Sequence, residues 1–385
     1  MRRTFTAPRR AAPEARLFAP ARELGKLLCT VAMVREFART AIADHLGSHN
    51  EEDYPEVLVD GLRRLGVFGV NIPGKYGGSG LCAGDVSDIV YELARGWQPL
   101  AGLVGTHLKL CREYLRYGTQ EQKTRLLPAM AAGELICARG YHEQAANDPE
   151  LLTSRIEYRD RVGVLNGRKN WVTNARNADR IVVIARSGRL TQAMMVDPAR
   201  PGVRVGEELP RPGMRGVSLA EVDFAGYEFD PHRDVLGGPG CDITESVRGH
   251  DMTSYVTRSV ASADATLEWL TEFVGTSIDR FPPEARGVIA ARVGEVATRV
   301  SVMRVVWRDV ISSAPSISTD EAKVFCTMTL QGVIGDAITL CGGAGYACKD
   351  ASLTRHYRDA MALQIIGAPN DVLVSRIGNR MITGQ

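Results

Sequence analysis

The 385-residue chain has no surplus of charge: 47 basic residues stand against 45 acidic ones, a formal net charge of +2. Without a basic excess there is no electrostatic footprint for a nucleic-acid groove or a polybasic membrane face. No unbroken apolar run reaches the roughly 18 residues that a spanning helix needs, so an integral membrane protein is not expected. Cysteine pairing is missing as well. The eight cysteines, at 29, 82, 111, 137, 241, 326, 341 and 348, contain no Cys-x-x-Cys pair and no histidine at metal-ligand spacing. They read as buried thiols in a reducing, cytoplasmic compartment, with no metal centre. Lysine is scarce: seven lysines (26, 75, 109, 123, 169, 323 and 349) are set against 40 arginines. There is no internal repeat and no low-complexity tail. The first 25 residues hold six Arg and two Glu, and a disordered basic N-terminus is expected over residues 1–26.

What is present is enough apolar content for two or three domains at this length. From Leu27 to about Leu135 apolar residues recur at three and four spacings, through Val57-Leu58-Val59-Leu62-Leu65 and Val86-Ile89-Val90-Leu93, which predicts a helical domain over 27–137. Pro73-Gly74 and Gly77-Gly78-Ser79-Gly80 interrupt it; that cluster lacks the lysine-serine ending of a phosphate loop and reads as a connection. Over 138–236 the period drops to two, with β-prone segments at Arg180–Ala185, Thr191–Val196, Gly202–Gly206 and Ala220–Phe224 broken by prolines. Helical spacing returns over 237–385 through Val256–Val274, Val288–Ile311 and Glu321–Leu340. The fold class is therefore mostly α with a central β domain.

One stretch, Val162–Ala175, carries the chemistry. Asn166-Gly167 tolerates positive φ between β-prone runs, which predicts a tight hairpin with the chain folding back there. Beyond it Trp171 and Thr173 lie two residues apart, so in a strand both emerge on one face, an aromatic plane beside a hydroxyl. That pair suits an isoalloxazine ring, and it also suits an ordinary amphipathic hairpin with a core Trp and a polar Thr.

Six segments, taken in order, decide the context: Leu65-Gly66-Val67-Phe68-Gly69 running to Tyr76-Gly77-Gly78; Tyr117-Gly118-Thr119-Gln120-Glu121-Gln122-Lys123 with Leu127-Pro128; Gly133-Glu134; Leu165-Asn166-Gly167-Arg168-Lys169 with Trp171-Val172-Thr173-Asn174-Ala175; Cys341-Gly342-Gly343-Ala344-Gly345-Tyr346; and Arg358-Asp359-Ala360. In this order, over nearly the whole chain after residue 27, the sequence resembles the acyl-CoA dehydrogenase family. The resemblance implies a helical domain, a central β-barrel-like domain and a C-terminal four-helix bundle, assembled as homodimers or homotetramers around FAD. It implies cofactor contacts at Trp171, Thr173, Glu143, Arg280, Gly342, Gly343, Gly345, Asn370 and Asp371. Glycine suits such a turn because a backbone without Cβ can approach an anion closely and present N–H groups to it.

The departures from the family pattern concern acid–base chemistry. The family's Thr-Glu-Pro-x-Ala-Gly-Ser-Asp segment is represented here by His142-Glu143-Gln144-Ala145-Ala146-Asn147-Asp148-Pro149, which puts an imidazole at His142 and a carboxylate at Asp148 near the implied flavin and thioester. Both also read as solvent-facing loop residues. The catalytic Glu that precedes Gly-Thr-Asn-Glu in many relatives is replaced by Gly367, in Ile366-Gly367-Ala368-Pro369-Asn370-Asp371. Relatives that carry the base on the first helix of the C-terminal domain point instead to Asp251, with His250 a lesser candidate. The segment that reaches a neighbour's FAD is shortened to Arg280-Phe281-Pro282-Pro283.

The resemblance thus implies FAD-dependent oxidation of an acyl thioester, on CoA or on an acyl carrier protein, by hydride transfer to flavin, with a hydroxyacyl unit such as hydroxymalonyl in polyketide or antibiotic biosynthesis as one expectation. The alternatives are a flavin monooxygenase on the same scaffold and a non-catalytic partner subunit.

Overall fold

The computed structural model describes residues 29–48, 51–144, 148–249, 251–347 and 352–383. The expected disordered N-terminus over 1–26 lies outside the described residues, as does His250. Helices come first, then strands, then helices, as the change of period predicts.

In the N-terminal layer the helices Ala83–Gly96, Gln98–Tyr117 and Gln120–Ala132 do most of the packing. The second buries Leu100, Leu103, Val104, His107, Leu108 and Cys111 at three and four spacings, a stripe that faces the core. Thr119 opens the third with a capping box: its hydroxyl accepts from Gln122 N at 3.2 Å while the Gln122 side chain accepts from Thr119 N at 3.1 Å. The same Gln122 amide donates to Val235 O at 2.6 Å, so the cap also pins the end of the β layer.

The sheet has seven strands: β1 Cys137–Gly140, β2 Arg155–Arg159, β3 Val162–Thr173, β4 Arg180–Ser187, β5 Leu190–Val196, β6 Val203–Val205 and β7 Leu219–Phe229. Their order is β1-β4-β2-β3-β7-β6, with β5 on the other edge of β4, a curled sheet that is half of a barrel. β4 reads as an unbroken apolar run because both of its faces are covered. Val182 and Ile184 pack with Leu110, Cys111 and Tyr114 of the helical layer, and Ile181, Val183 and Ala185 pack inside the curl.

Asn166-Gly167 is not a hairpin turn. β3 runs straight through it, and the chain folds back six residues earlier, at Asp160-Arg161, where Arg159 pairs with Val162 and Asp160 takes φ 56°. The glycine answers to a different need. Gly167 has φ 145°, a Cβ there would lie 2.4 Å from Ser154 Oγ, and the register with β7 slips between Leu165 and Gly167. Asn166 Oδ1 accepts from Gly226 N at 2.7 Å across that bulge.

The C-terminal layer is built on the helices Thr253–Ser277, Pro283–Val310 and Thr319–Cys341, with Ser352–Leu363 and Asn370–Thr383 laid against them. Thr319–Cys341 is long and apolar enough to cross a membrane by length and composition, with a mean hydropathy of 1.5 over its 18-residue window, which a search for unbroken apolar runs misses. Its Cys326, Leu330, Val333, Ile334 and Ala337 are buried among the neighbouring helices, the placement of a core helix. The cysteines are not all buried either: Cys82 is exposed and accepts from Asp85 N at 3.5 Å to cap Ala83–Gly96, and Cys241 is half-buried.

Candidate functional site

The end of β3 turns an aromatic side chain outward. Register with β7 passes from Lys169↔Val222 to Val172↔Ala220, so β3 carries one extra residue there. Trp171 takes up this bulge at φ 54°, with 54% of the residue exposed. Val172 beneath is buried and Thr173 is half-buried on the outer side, so Trp171 and Thr173 do share a face and the indole is not a core residue. The next residue, Asn174, is also left-handed (φ 64°) and only 3% exposed, yet neither its Oδ1 nor its Nδ2 has a hydrogen-bond partner among the described residues. A buried amide with no partner costs free energy unless something completes it.

Beside this strand runs Tyr141–Glu143, drawn in by Asn170 N donating to His142 O at 2.8 Å. Glu143 is a scaffold rather than a free ligand. Its carboxylate accepts from Thr153 N at 2.5 Å, Thr153 Oγ1 at 2.6 Å, Ser154 N at 3.0 Å and Lys169 Nζ at 2.6 Å, which occupies both oxygens. Burial by itself would raise its pKa, but Lys169's charge and these donors more than offset that and bring it down to about 2. Lys169 is fully buried, and burial pushes it below the usual lysine range, which Glu143's charge only partly offsets.

A second buried lysine organises the turn before the last helix. Lys323 Nζ donates to Ala368 O at 2.5 Å, Gln364 O at 3.3 Å and Asn370 Oδ1 at 3.2 Å, gripping the turn that contains Gly367. Asn370 also donates from Nδ2 to Thr327 Oγ1 at 2.9 Å, so its amide ties the last helix to Thr319–Cys341 instead of being free for a cofactor. Asp371 is exposed in the first turn of that helix. Gly367 has φ 81°, and a Cβ there would lie 2.5 Å from Tyr255 Cε2. The Tyr255 ring occupies the space that any side chain at 367 would need.

The glycine turn divides. Around Gly342 (φ 56°) and Gly343 an added Cβ would meet nothing within 4 Å, so their backbone is open. Gly345 is buried, and a Cβ there would fall 2.8 Å from Ile338 O, which gives it a packing reason to be glycine. Arg280 ends the short helical turn Ile278–Arg280, and its side chain lies outside the described residues.

The acid–base candidates are spread along one seam. His142 is half-buried, its ring 5.1 Å from that of Tyr141 and tilted by 57°. Asp148 is exposed and accepts from Glu150 N at 2.9 Å, capping the turn Pro149–Leu151. It also lines a cavity of about 440 Å³ between this loop and the bundle, with Arg248, Ser318, Asp320, Arg376 and Arg380 on the other walls. Asp251 accepts from Thr253 N at 2.8 Å at the head of Thr253–Ser277 and faces Arg112 Nη2 at 3.4 Å, with 41% of its side chain exposed. Burial would raise the Asp251 pKa, but the Thr253 bonds, Arg112 and Lys109 together hold it below the ordinary carboxylate value.

The sequence reading gave Lys169, Lys323, Tyr255 and Asn174 no role. Lysine is scarce in this chain, and two of its seven lysines, Lys169 and Lys323, are fully buried, where a compact ammonium is easier to enclose than a guanidinium. The residues present fit a flat, hydrogen-bonding ring: an outward indole and hydroxyl, an orphaned amide behind them, and open glycine backbone.

The acyl-CoA dehydrogenase N-terminal, middle and C-terminal domains match residues 29–134, 142–227 and 256–382. The chain is 28% identical over 333 residues to benzylmalonyl-CoA dehydrogenase of Aromatoleum aromaticum, covering 83% of this chain and 88% of that one. Butyryl-CoA dehydrogenase from Megasphaera elsdenii has the same fold with a TM-score of 0.83 at 22% identity, covering 91% and 97% of the two chains. The prolyl acyl carrier protein oxidase AnaB superposes with a TM-score of 0.81 at 21% identity, covering 91% and 97%.

Proposed function

Because the chain belongs to the acyl-CoA dehydrogenase family, whose members are FAD-dependent oxidoreductases, we propose that it oxidises an acyl thioester with Asp251 as the proton acceptor. The observation that carries this reading is the closure of position 367. Left-handed backbone and the Tyr255 ring exclude a carboxylate from the place where the family resemblance puts the base. Asp251 then remains as an ionised carboxylate at the head of the first long bundle helix, aligned by Thr253 and Arg112. FAD, when bound, supplies the two-electron acceptor. Trp171 and Thr173 would lie against the ring, Asn174 and the Gly343 backbone would give it donors, and Asp148 would stand at the cavity through which the thioester arm enters.

In an oxidation of this kind one C–H bond breaks with its electron pair while a proton leaves a neighbouring carbon or hydroxyl for Asp251, so a hydroxyacyl unit such as hydroxymalonyl fits as well as a saturated chain. The fold neighbour named for a prolyl acyl carrier protein supports a carrier-bound acyl group beside CoA. Val305, Met328, Tyr346 and Ile365 are large apolar residues exposed on the bundle, which supports a homodimer or homotetramer.

The test is anaerobic mixing of holoprotein with an acyl thioester while flavin absorbance is followed. Asp251→Asn should slow bleaching by about 10²–10⁴-fold, and Asp148→Asn by much less. Bleaching that is unaffected by Asp251→Asn, or turnover that requires oxygen, sinks the proposal.

A further inference from the structure

Arg139 sits in β1 with its side chain only 10% exposed, and its Nε and Nη2 both lack hydrogen-bond partners among the described residues. Those two nitrogens form one edge of the guanidinium, the fork that accepts both oxygens of a carboxylate side by side. The nearest acid, Glu113, stands 3.5 Å from Nη2, beyond a charge-assisted bond, and its own Oε2 is unpartnered too. Buried charged donors are rarely left in this condition.

The surroundings carry an excess of positive charge. Lys109, Arg112 and Glu113 project from one face of Gln98–Tyr117, Arg139 comes from β1, and Asp251 heads Thr253–Ser277. Three cations thus meet two carboxylates where the three layers join. Burial, with the charge of Arg139 added, brings Lys109 down to about 7, while Glu113 and Asp251 pull it the other way. Exposure falls inward along the cluster, from Arg112 (54%) and Asp251 (41%) to Arg139 (10%). The Arg139 guanidinium lies 5.4 Å from the Tyr141 ring, on the segment that Asn170 holds beside Trp171.

We propose that Arg139 is the recognition residue for a free carboxylate on the acyl group, so that the substrate class is the half-thioester of a dicarboxylic acid. The inference rests on the thioester reading above. Asp251, at the open end of the cluster, then meets the reacting carbons while Arg139, at the closed end, holds the second carboxylate. Glu113 is the acid with which the ligand competes: its Oε1 stands 3.5 Å from Nη2, an ion-pair contact too long for a hydrogen bond.

The experiment is equilibrium titration of the holoenzyme with succinyl- and butyryl-pantetheine, which share the arm common to CoA and carrier protein and differ in a terminal carboxylate against a methyl. The wild type should bind the succinyl thioester at least tenfold more tightly. Arg139→Gln should abolish the preference, Arg139→Lys should keep part of it, and Glu113→Gln, which removes the competing acid, should enlarge it. Equal affinity in the wild type, including none for either, overturns the proposal, as does an Arg139→Gln variant weakened equally toward both. If Arg139→Gln does not fold, an unchanged preference in Glu113→Gln overturns it. A carboxylate preference without flavin bleaching would remove the oxidation reading and leave Arg139 in place; bleaching without preference would do the reverse.

Discussion

Two buried lysines clamp two different segments of the chain, and they are solvated differently. Lys169 meets a carboxylate, and the Glu143 it pairs with draws in Thr153 and Ser154, so three segments of the β layer close on one ion pair. Lys323 meets no carboxylate within ion-pair distance among the described residues, only two carbonyls and an amide oxygen. Burial lowers both to about 8. The contrast shows what each clamp is for. The first fixes a strand that turns outward two residues later, at Trp171, and a charged pair tolerates little slack. The second fixes a turn whose central residue has no side chain, where neutral acceptors suffice to hold the backbone.

Breaking the first clamp should have the larger effect. Lys169→Met leaves Glu143 buried and unpaired, and about 3–5 kcal/mol of stability should be lost, read by urea unfolding; adding Glu143→Gln should restore most of it. Acid offers the same contrast without a mutation. Glu143 is held near 2 in the fold against 4.5 for the free group. Its contribution is therefore complete above pH 4.5 and disappears as pH falls through 2, on the order of 3 kcal/mol. Glu143→Gln should flatten that decline, and an unchanged slope would remove the ion pair from the account. Lys323→Met should cost less, about 1–3 kcal/mol, because it strands acceptors and not an ion. Equal losses for the two lysines would erase the distinction between the clamps.

The residues that the clamps present should respond differently again. Gly367→Ala should lose about 1–3 kcal/mol from φ strain and contact with Tyr255, and the Tyr255→Ala background should recover only the steric part. Gly367→Glu should for the same reason give no gain in flavin bleaching. Trp171→Ala should move stability by no more than about 0.5 kcal/mol, since the indole is half in solvent, while the flavin retained after gel filtration falls. Full retention would show that the outward ring does not face the cofactor.

The order of layers was legible because period is a local property: three-and-four spacing along Gln98–Tyr117 and unbroken apolar character in β4 follow from which faces are covered. Asn166-Gly167 misled for an equally local reason. The pair announces positive φ, and positive φ serves a turn or a bulge with equal ease; which one is formed depends on Ser154 and β7 lying against it. Glu143 and Asn370 could be matched to family positions, but their sequence could not reveal that Lys169 and Lys323 would consume their polar atoms.

By itself, then, the chain determined its alternation of helix, sheet and helix, its family, and the loss of a carboxylate at position 367, since each is written in spacing or in the identity of single residues. Only the tertiary structure decided that Tyr255 closes that position, that Trp171 faces outward, and that Arg139 Nε and Nη2 lack hydrogen-bond partners among the described residues. Those outcomes depend on which groups from distant segments arrive within about 3 Å of one another, a distance over which hydrogen bonding and burial act and which no one-dimensional pattern encodes.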